Sequence, residues 1–315
     1  MNARLKVIAD NQGGVFSRAQ ALASGYTPDQ VVACLRAGYW VRLRRGQYAE
    51  NVDVSHLPPW ERARWAHRQR THAAMNSLRS GSVAASHQSA LVLHGLPVWG
   101  LDLGLVHVSR VHGRSGGVVA GVQHHLGKLT PNDLTVLEGR LATTAGRAVL
   151  EAACTASFEA AVVGVDALLH AGGLNAADLH RLQEVIEFWP GSATARAALR
   201  FGDPLSESVG ESRMRVFLYE YGFPTPVLQA EFRDRQGFVG RVDFYFPAYG
   251  LVIEFDGLLK YGGAAADVLV EEKRREDRLR ALGLTVVRSV WSDLDHPATL
   301  AAALRRTFAA ARRTA

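Results

Sequence analysis

The chain has 315 residues, 48% of them hydrophobic, and a formal net charge of +6, which excludes a disordered or fibrous chain and leaves room for two or three packed domains. The basic excess favours a polyanionic partner over an acidic or neutral one. No apolar run reaches the roughly 20 residues of a membrane span, no secretory leader follows Met1, and Cys34 and Cys154 lie too far apart to read as a disulfide framework, so a reducing cytoplasm is the expected setting.

In chain order, a short polar helix starts near Leu5. Ser17 then caps a second helix over residues 18–23, and Thr27 with Pro28 opens a third, which stops at Gly38. Residues 40–43 and 47–49 alternate as strands around Arg44-Arg45-Gly46. The pattern is a helix, a helix-turn-helix and a basic two-stranded wing. The string GYWVRLRRGQYA resembles the winged-helix N-terminal domain of AbiEi-type antitoxins and related bacterial regulators. The resemblance implies double-stranded DNA as partner. Arg36, Arg42, Arg44 and Arg45 would meet phosphates, which supply affinity rather than sequence information. Gln30, early on the third helix, would reach a base edge.

Residues 58–200 form a middle region. A basic helix runs from Trp60 to about Leu78, and the following SHQSALVLHGLP also resembles AbiEi-like proteins. Residues 105–109 read as one strand, 118–125 as another, and 145–169 as helical. His87 and His94 are seven apart, and His124 and His125 adjoin. A metal site built from them is conceivable, but no ligand-type spacing such as HExxH supports it, and hydrogen-bonded structural histidines are the expectation. Residues 191–207, polar and Ala-rich, read as a linker.

The densest signal is VGRVDFYFPAYGLVIEFDG at 239–257. Val242, Phe244 and Phe246, then Leu251, Ile253 and Phe255, alternate with other residues as in a hairpin, and Pro247-Ala248-Tyr249-Gly250 makes the turn. If Phe246 faces Leu251, Asp243 lies opposite Glu254, and Asp256 shares that face. Opposed residues stand about 5 Å apart, so like charges there are costly. A divalent cation offsets that cost with hard oxygen ligands. The alternative is an ion pair between Arg241 and Asp256 on a solvated edge. Around the hairpin, 207–221 reads as a helix, 228–232 as a strand, 268–282 as a charged helix marked by Leu269, Leu279 and Leu282, and 284–288 as a strand.

These motifs in this order resemble the restriction-endonuclease-like PD-(D/E)XK nucleases, in the branch related to very-short-patch repair endonucleases. The resemblance implies Mg²⁺ or Mn²⁺ held by Asp243 and Glu254. Asp256 stands where the strict motif has lysine. Lys260, beside Tyr261, is the first choice for the lysine and Lys273 the second. Glu211 would be a further acidic residue on the first helix; otherwise it is an exposed helical residue near Arg215. The arginines of 268–282 are balanced by nearby acids, which favours a solvated face over phosphate contact.

The expectation is an α+β / α/β multidomain protein. It comprises a winged helix-turn-helix (1–57), a mixed AbiEi-like middle domain (58–200) and a restriction-endonuclease-like α/β sandwich (201–315). It would be a cytoplasmic, nucleoid-associated, DNA-binding endonuclease; the alternatives are a non-catalytic antitoxin-like regulator with a degenerate nuclease fold and an RNA nuclease using the same carboxylates. A homodimer and a toxin-like protein stand as further partners, and a membrane does not.

Overall fold

Side-chain caps set the first three helices. Asn2 accepts from the Leu5 N–H to open α1 (Ala3–Asp10). After β1 (Val15–Ser17), Ser17 and Gln20 form a reciprocal capping box on α2 (Arg18–Ala23), and Thr27 with Gln30 does the same on α3 (Pro28–Arg36). The strands β2 (Trp40–Arg44) and β3 (Gln47–Glu50) join β1 in the order β1-β3-β2. Leu5, Phe16, Val31, Trp40 and Tyr48 make the core between helices and sheet.

A computed structural model describes residues 1–112, 115–174, 176–257 and 266–311. The chain divides into two compact units, Met1–Gly164 with Gly173–Arg200, and Val165–Gly172 with Phe201–Ala315.

In the first unit the N-terminal sheet packs against α4 (Pro59–Ser77). Gln69 Nε2 donates to the Gly13 carbonyl at 3.1 Å, and Asn76 Nδ2 donates to Gln47 Oε1 at 2.7 Å. Gly13, at φ +70°, has the His72 ring where a Cβ would sit, at 2.4 Å, so a side chain there would part helix from sheet. The same unit holds β4 (Val83–Ala85), α5 (His87–His94), β5 (Val106–Arg110), β6 (Gly117–Val119), β7 (Val122–His125), β8 (Leu134–Leu137) and β9 (Arg140–Thr143), in the order β6-β7-β5-β4-β9-β8. Residues 118–125, read from sequence as one strand, are instead a hairpin. Ala120 and Gly121 turn the chain at φ 49° and 78°, the paired positive values of a type I′ turn.

The helices α6 (Ala145–Ala153), α7 (Phe158–His170), α8 (Ala176–Val185) and α9 (Ser192–Phe201) follow. The linker expected at 191–207 is corrected by α9, whose Ala195, Ala198 and Leu199 are buried. Small residues that read as flexible in sequence are small here because the helix packs closely. Gly191 shows the limit, since a Cβ on it would lie 1.8 Å from the Cys154 carbonyl oxygen.

His67 of α4 is fully buried in this unit. Its Nδ1–H donates to the Leu103 carbonyl at 3.0 Å and its Nε2 accepts from Ser89 Oγ at 2.8 Å. Burial pushes its pKa down from 6.5 to about 4. Between those values the unfolded chain takes up a proton that the fold refuses, so stability is lost as pH falls, by about 3 kcal/mol at pH 4. Urea melts from pH 7 to 4.5 should show this slope added to that of the other buried histidines, and His67→Gln should remove about one proton's share of it; an equal slope in the variant would refute the assignment.

The second unit is built on α10 (Val209–Glu220), β10 (Val227–Asp234), β11 (Gly237–Phe246), β12 (Leu251–Asp256), α11 (Ala266–Ala281), β13 (Thr285–Val290), α12 (Trp291–Leu294) and α13 (Pro297–Ala311). The sheet order is β10-β11-β12-β13, antiparallel except for the parallel pair β12–β13. Both faces are covered. Met214, Phe217 and Leu218 of α10 and Leu300, Leu304 and Phe308 of α13 pack on Phe244, Phe246, Leu251, Ile253 and Phe255. On the other face Leu279 of α11 meets Val239, Val242, Val252 and Leu284.

The hairpin forms in the expected register, with Phe246 on Leu251, Tyr245 on Val252 and Phe244 on Ile253. One detail of the alternation is corrected: Val242 packs on the α11 side, not with Phe244 and Phe246. The break falls at Asp243. The ladder pairs Leu228 with Phe244 and Ala230 with Val242, which puts Gln229, at φ 51°, across from Asp243. A left-handed residue in a strand redirects the flanking side chains.

Candidate functional site

The carboxylates of the second unit gather where β11 and β12 part. Asp243 Oδ2 accepts the Phe255 N–H at 2.8 Å, so a side chain replaces the next rung of the ladder. Glu254 and Asp256 alternate with the apolar Ile253 and Phe255 and are both buried. Gly210 lets α10 approach, since a Cβ there would meet the Phe255 ring at 2.0 Å. That approach carries Glu211 inward. Glu211 is buried rather than exposed near Arg215; it accepts from Glu207 N at 3.0 Å, from Ser208 Oγ at 2.7 Å and from Gln229 Nε2 at 3.0 Å. Arg215 turns instead to the buried Asp166, at 2.6 Å.

Two arginines face the carboxylates. Arg275 Nη2 donates to Glu254 Oε1 at 2.5 Å and to Glu272 Oε1 at 3.0 Å. Arg288 reaches Asp256 Oδ2 at 3.0 Å, Glu272 Oε1 at 2.5 Å and Glu276 Oε2 at 3.1 Å, with Glu254 Oε2 at 3.7 Å. Pairing of Arg241 with Asp256 is therefore corrected: Arg241 binds Glu207 at 2.6 Å, and Arg288, arriving on the parallel strand beside β12, takes Asp256. Sequence reading missed Arg275 and Arg288 as members of the cluster, because the helix and strand that bear them are distant in sequence from the hairpin.

Burial pushes the Glu254 carboxyl above its usual value, against the hydrogen bond and charge of Arg275 and the charge of Arg288, and the negative charge of Asp243 pushes the same way. Burial also opposes ionisation of Glu272, but its bonds to Arg275 and Arg288 hold it below the usual range. Carboxylates outnumber guanidinium groups in the cluster, so it retains negative charge.

The other arginines of α11 follow the balanced-charge expectation with partners of their own: Arg278 grips Asp234 by Nε at 2.8 Å and Nη2 at 2.7 Å, and Arg280 pairs with Glu276. Lys273 is exposed. Lys260 and Tyr261 lie outside the described residues, as do the Leu269 side chain, Arg312 and Arg313.

At the N-terminal end, Arg36 closes α3, and it is exposed, as are Arg42 and Arg45. Arg44 is half buried, and its charge, with that of Arg110, adds to burial in holding His124 below its ordinary value. Gln30 is committed to the α3 cap, where its Oε1 accepts the Thr27 N–H at 2.8 Å. Gly46, at φ 74°, turns the chain between β2 and β3, and its carbonyl accepts the Arg18 N–H at 3.0 Å, which ties the turn to the start of α2.

Residues 4–51 match the family model of the AbiEi antitoxin, a transcriptional regulator. The chain thus carries a regulator-type domain at its N-terminal end. Two curated Mycobacterium tuberculosis proteins are 30% identical to it over 177 residues: "Uncharacterized protein MT2308" of strain CDC 1551 / Oshkosh and "Uncharacterized protein Rv2248" of strain ATCC 25618 / H37Rv. The match covers 56% of this chain and spans 65% of the length of those relatives. Among the described residues no helix is long and apolar enough to cross a membrane.

Proposed function

We propose that the protein binds double-stranded DNA through its N-terminal regulator-type domain, as a winged helix, and that its second unit is a metal-dependent endodeoxyribonuclease of the restriction-endonuclease-like class. The observation that carries the nuclease reading is the placing of Asp243, Glu254 and Asp256 at one break in the sheet, with Glu211 tied to it through Gln229. The order helix, three antiparallel strands, helix, parallel strand supports it as a scaffold for such a site.

The donor set suits a hard divalent cation. The side chains offer oxygens, those of Glu211, Glu254 and Asp256 are on buried residues, and the cluster keeps surplus negative charge after Arg275 and Arg288 are counted. Asp243 and Glu254 would hold Mg²⁺ or Mn²⁺. Bound there, the ion would supply charge stabilisation at the scissile phosphate and an activated water. The chain's own residues do the remaining work. Asp256 and Glu211 flank the ligands, and Gln229 holds Glu211 in place. Arg275 and Arg288 oppose the rise that burial imposes on Glu254, and their guanidinium groups suit the charge that develops on phosphate oxygens.

One observation favours a second reading. Both oxygens of Glu254 face guanidinium groups, at 2.5 and 3.7 Å, as in a site sealed by structural ion pairs. On that reading the second unit is a degenerate nuclease fold and the protein is an antitoxin-like regulator, with a toxin-like protein as a further partner. Incubating the full chain with supercoiled plasmid and Mg²⁺ or Mn²⁺ separates the two: nicking supports the nuclease, and tight duplex binding without nicking supports the regulator.

DNA binding has its own test. Arg42→Ala with Arg45→Ala, both exposed, should weaken duplex binding and reduce the slope of log affinity against log salt by about 2. Gel-shift or anisotropy titrations at several salt concentrations check this, and an unchanged slope would remove the β2–β3 turn from the interface.

A further inference from the structure

The first unit carries a cluster of histidines that neither the regulator match nor the nuclease reading uses. β5 and β7 are parallel neighbours in which His107 faces Gln123 and Ser109 faces His125. The period of a strand therefore puts His107 and His125 on one face of the sheet, one step apart. The chain leaves β4 beside β5, with the Ser86 N–H on the His107 carbonyl at 3.0 Å, and the next residue, His87, swings onto the same patch. His107 Nδ1 lies 2.9 Å from His125 Nε2. The His87 ring stacks on His125 with centroids 3.7 Å apart. One ligand atom from each of the three can be chosen so that all lie within 4.8 Å of one another.

We propose that His87, His107 and His125 form a binding site for a divalent late first-row metal ion such as Zn²⁺. Three imidazoles with no thiolate match the ligand preference of that class. Zn–N bonds of about 2.0 Å require nitrogens roughly 3.3 Å apart, so His107 Nδ1 and His125 Nε2, now 2.9 Å apart, must open slightly, and the His87 nitrogen, within 4.8 Å of both, must close on them. His87 is nearly fully buried while His107 and His125 are partly exposed, so the metal has an entry path and a fourth position for water. The nearest carboxylate, Glu151, is 3.6 Å from His87 Nδ1 but is held by Arg147 at 3.0 Å and Thr143 at 3.3 Å, so it orients rather than ligates.

Without an ion the arrangement is costly. Three imidazoles crowd together around the buried His87, His87 sits at φ 49°, and Gln88 Oε1 is buried without a hydrogen-bond partner. A non-glycine residue in the left-handed region costs about 1 kcal/mol or more and persists where surroundings over-determine it. Gln88 Nε2 donates to His107 Nε2 at 2.9 Å, which leaves the ring proton on Nδ1, facing His125. Ligation through His107 Nδ1 moves that proton to Nε2, so Gln88 would have to withdraw its Nε2 donor from His107 and present its oxygen, giving up the bond to the Asp102 carbonyl as well. Such an outer partner is the usual companion of a metal-bound histidine. Burial, with repulsion from neighbouring imidazoles for His87 and His125, holds all three rings neutral near pH 7, with lone pairs available.

The sequence view singled out His87 and His125 but missed His107, and it grouped His94 and His124 with them. His94 instead binds the Thr143 carbonyl at 2.8 Å, and His124, next to His125 on β7, points to the opposite face.

The test is titration of the full-length, metal-stripped chain with Co²⁺, followed by visible absorption, with Zn²⁺ competition and elemental counting of bound zinc. With excess Mg²⁺ present to occupy the carboxylate cluster, the wild type should bind one Co²⁺ with a nitrogen-ligated, near-tetrahedral spectrum, and Zn²⁺ should raise its Tm. His107→Ala and His125→Ala should weaken this binding at least about 10-fold, while His94→Ala should leave it unchanged. Loss in Asp243→Ala but not in His107→Ala would place the ion at the carboxylate cluster and overturn the proposal. So would a wild type that binds neither metal, a reading that stands even if a histidine variant fails to fold.

Discussion

Asp243→Asn and Glu254→Gln should each reduce Mg²⁺-dependent plasmid nicking by more than about 100-fold and leave duplex affinity essentially unchanged, because the exposed arginines of the N-terminal domain are untouched. The substitutions are isosteric, so packing around Ile253 and Phe255 is preserved. Asp243→Asn keeps an oxygen for the Phe255 N–H, the bond that replaces a ladder rung. Glu254→Gln still presents an oxygen to Arg275 but removes the charge that a divalent cation needs. Residual nicking at the wild-type rate in both variants would sink the nuclease reading. Where the wild type itself binds duplex without nicking under Mg²⁺ or Mn²⁺, the regulator reading stands, and Glu254→Gln should then register only in stability.

Arg147→Ala should destabilise the first unit by about 3–5 kcal/mol, the largest stability effect expected of a single side chain here. Arg147 is 1% exposed. It donates to Glu151 at 3.0 Å, lies 3.6 Å from Asp133 and stacks over the Trp189 ring at 4.6 Å. Removing it leaves Glu151 buried with no cation, and burial already pushes that carboxyl above its usual value. Asp133 keeps Arg181 at 2.7 Å, so the loss concentrates on Glu151 and on the His87 N–H that it accepts at 3.2 Å. Denaturant melts of the variant against wild type measure the cost. Adding Glu151→Gln to Arg147→Ala should recover part of it, since the orphaned charge is the main penalty. A change below about 1 kcal/mol would mean that water reaches the site and solvates Glu151.

Local signals were legible where they act over a few residues. Ser17 and Thr27 announce their helices, and the Pro-Ala-Tyr-Gly turn sets the hairpin register that brings Asp243 toward Glu254. The same local logic failed where an unusual backbone carries no sequence mark. Ala120 and Gln229 hold positive φ without the Asn or Gly that advertises it. The small-residue stretch read as a linker at 191–207 is helix over Ser192–Phe201, because alanine serves close packing and solvent equally well. Gln30 was legible only as a base reader, and the structure puts its oxygen on the Thr27 N–H instead.

The sequence by itself determined the charge balance, the capped helices, the alternation of the hairpin and the presence of carboxylates at its open end, because each depends on neighbours within a turn or a strand pair. Only the tertiary structure decided which charges meet. Arg288 reaches Asp256 because β13 lies parallel to β12, Arg275 reaches Glu254 because α11 covers that face, and Glu211 turns inward because Gly210 lets α10 approach Phe255. His107 joins His87 and His125 through a crossover between parallel strands. Such pairings join groups well apart in sequence, 18 positions for His107 with His125 and 32 for Arg288 with Asp256, and their proximity is set by packing and strand order rather than by any local periodicity.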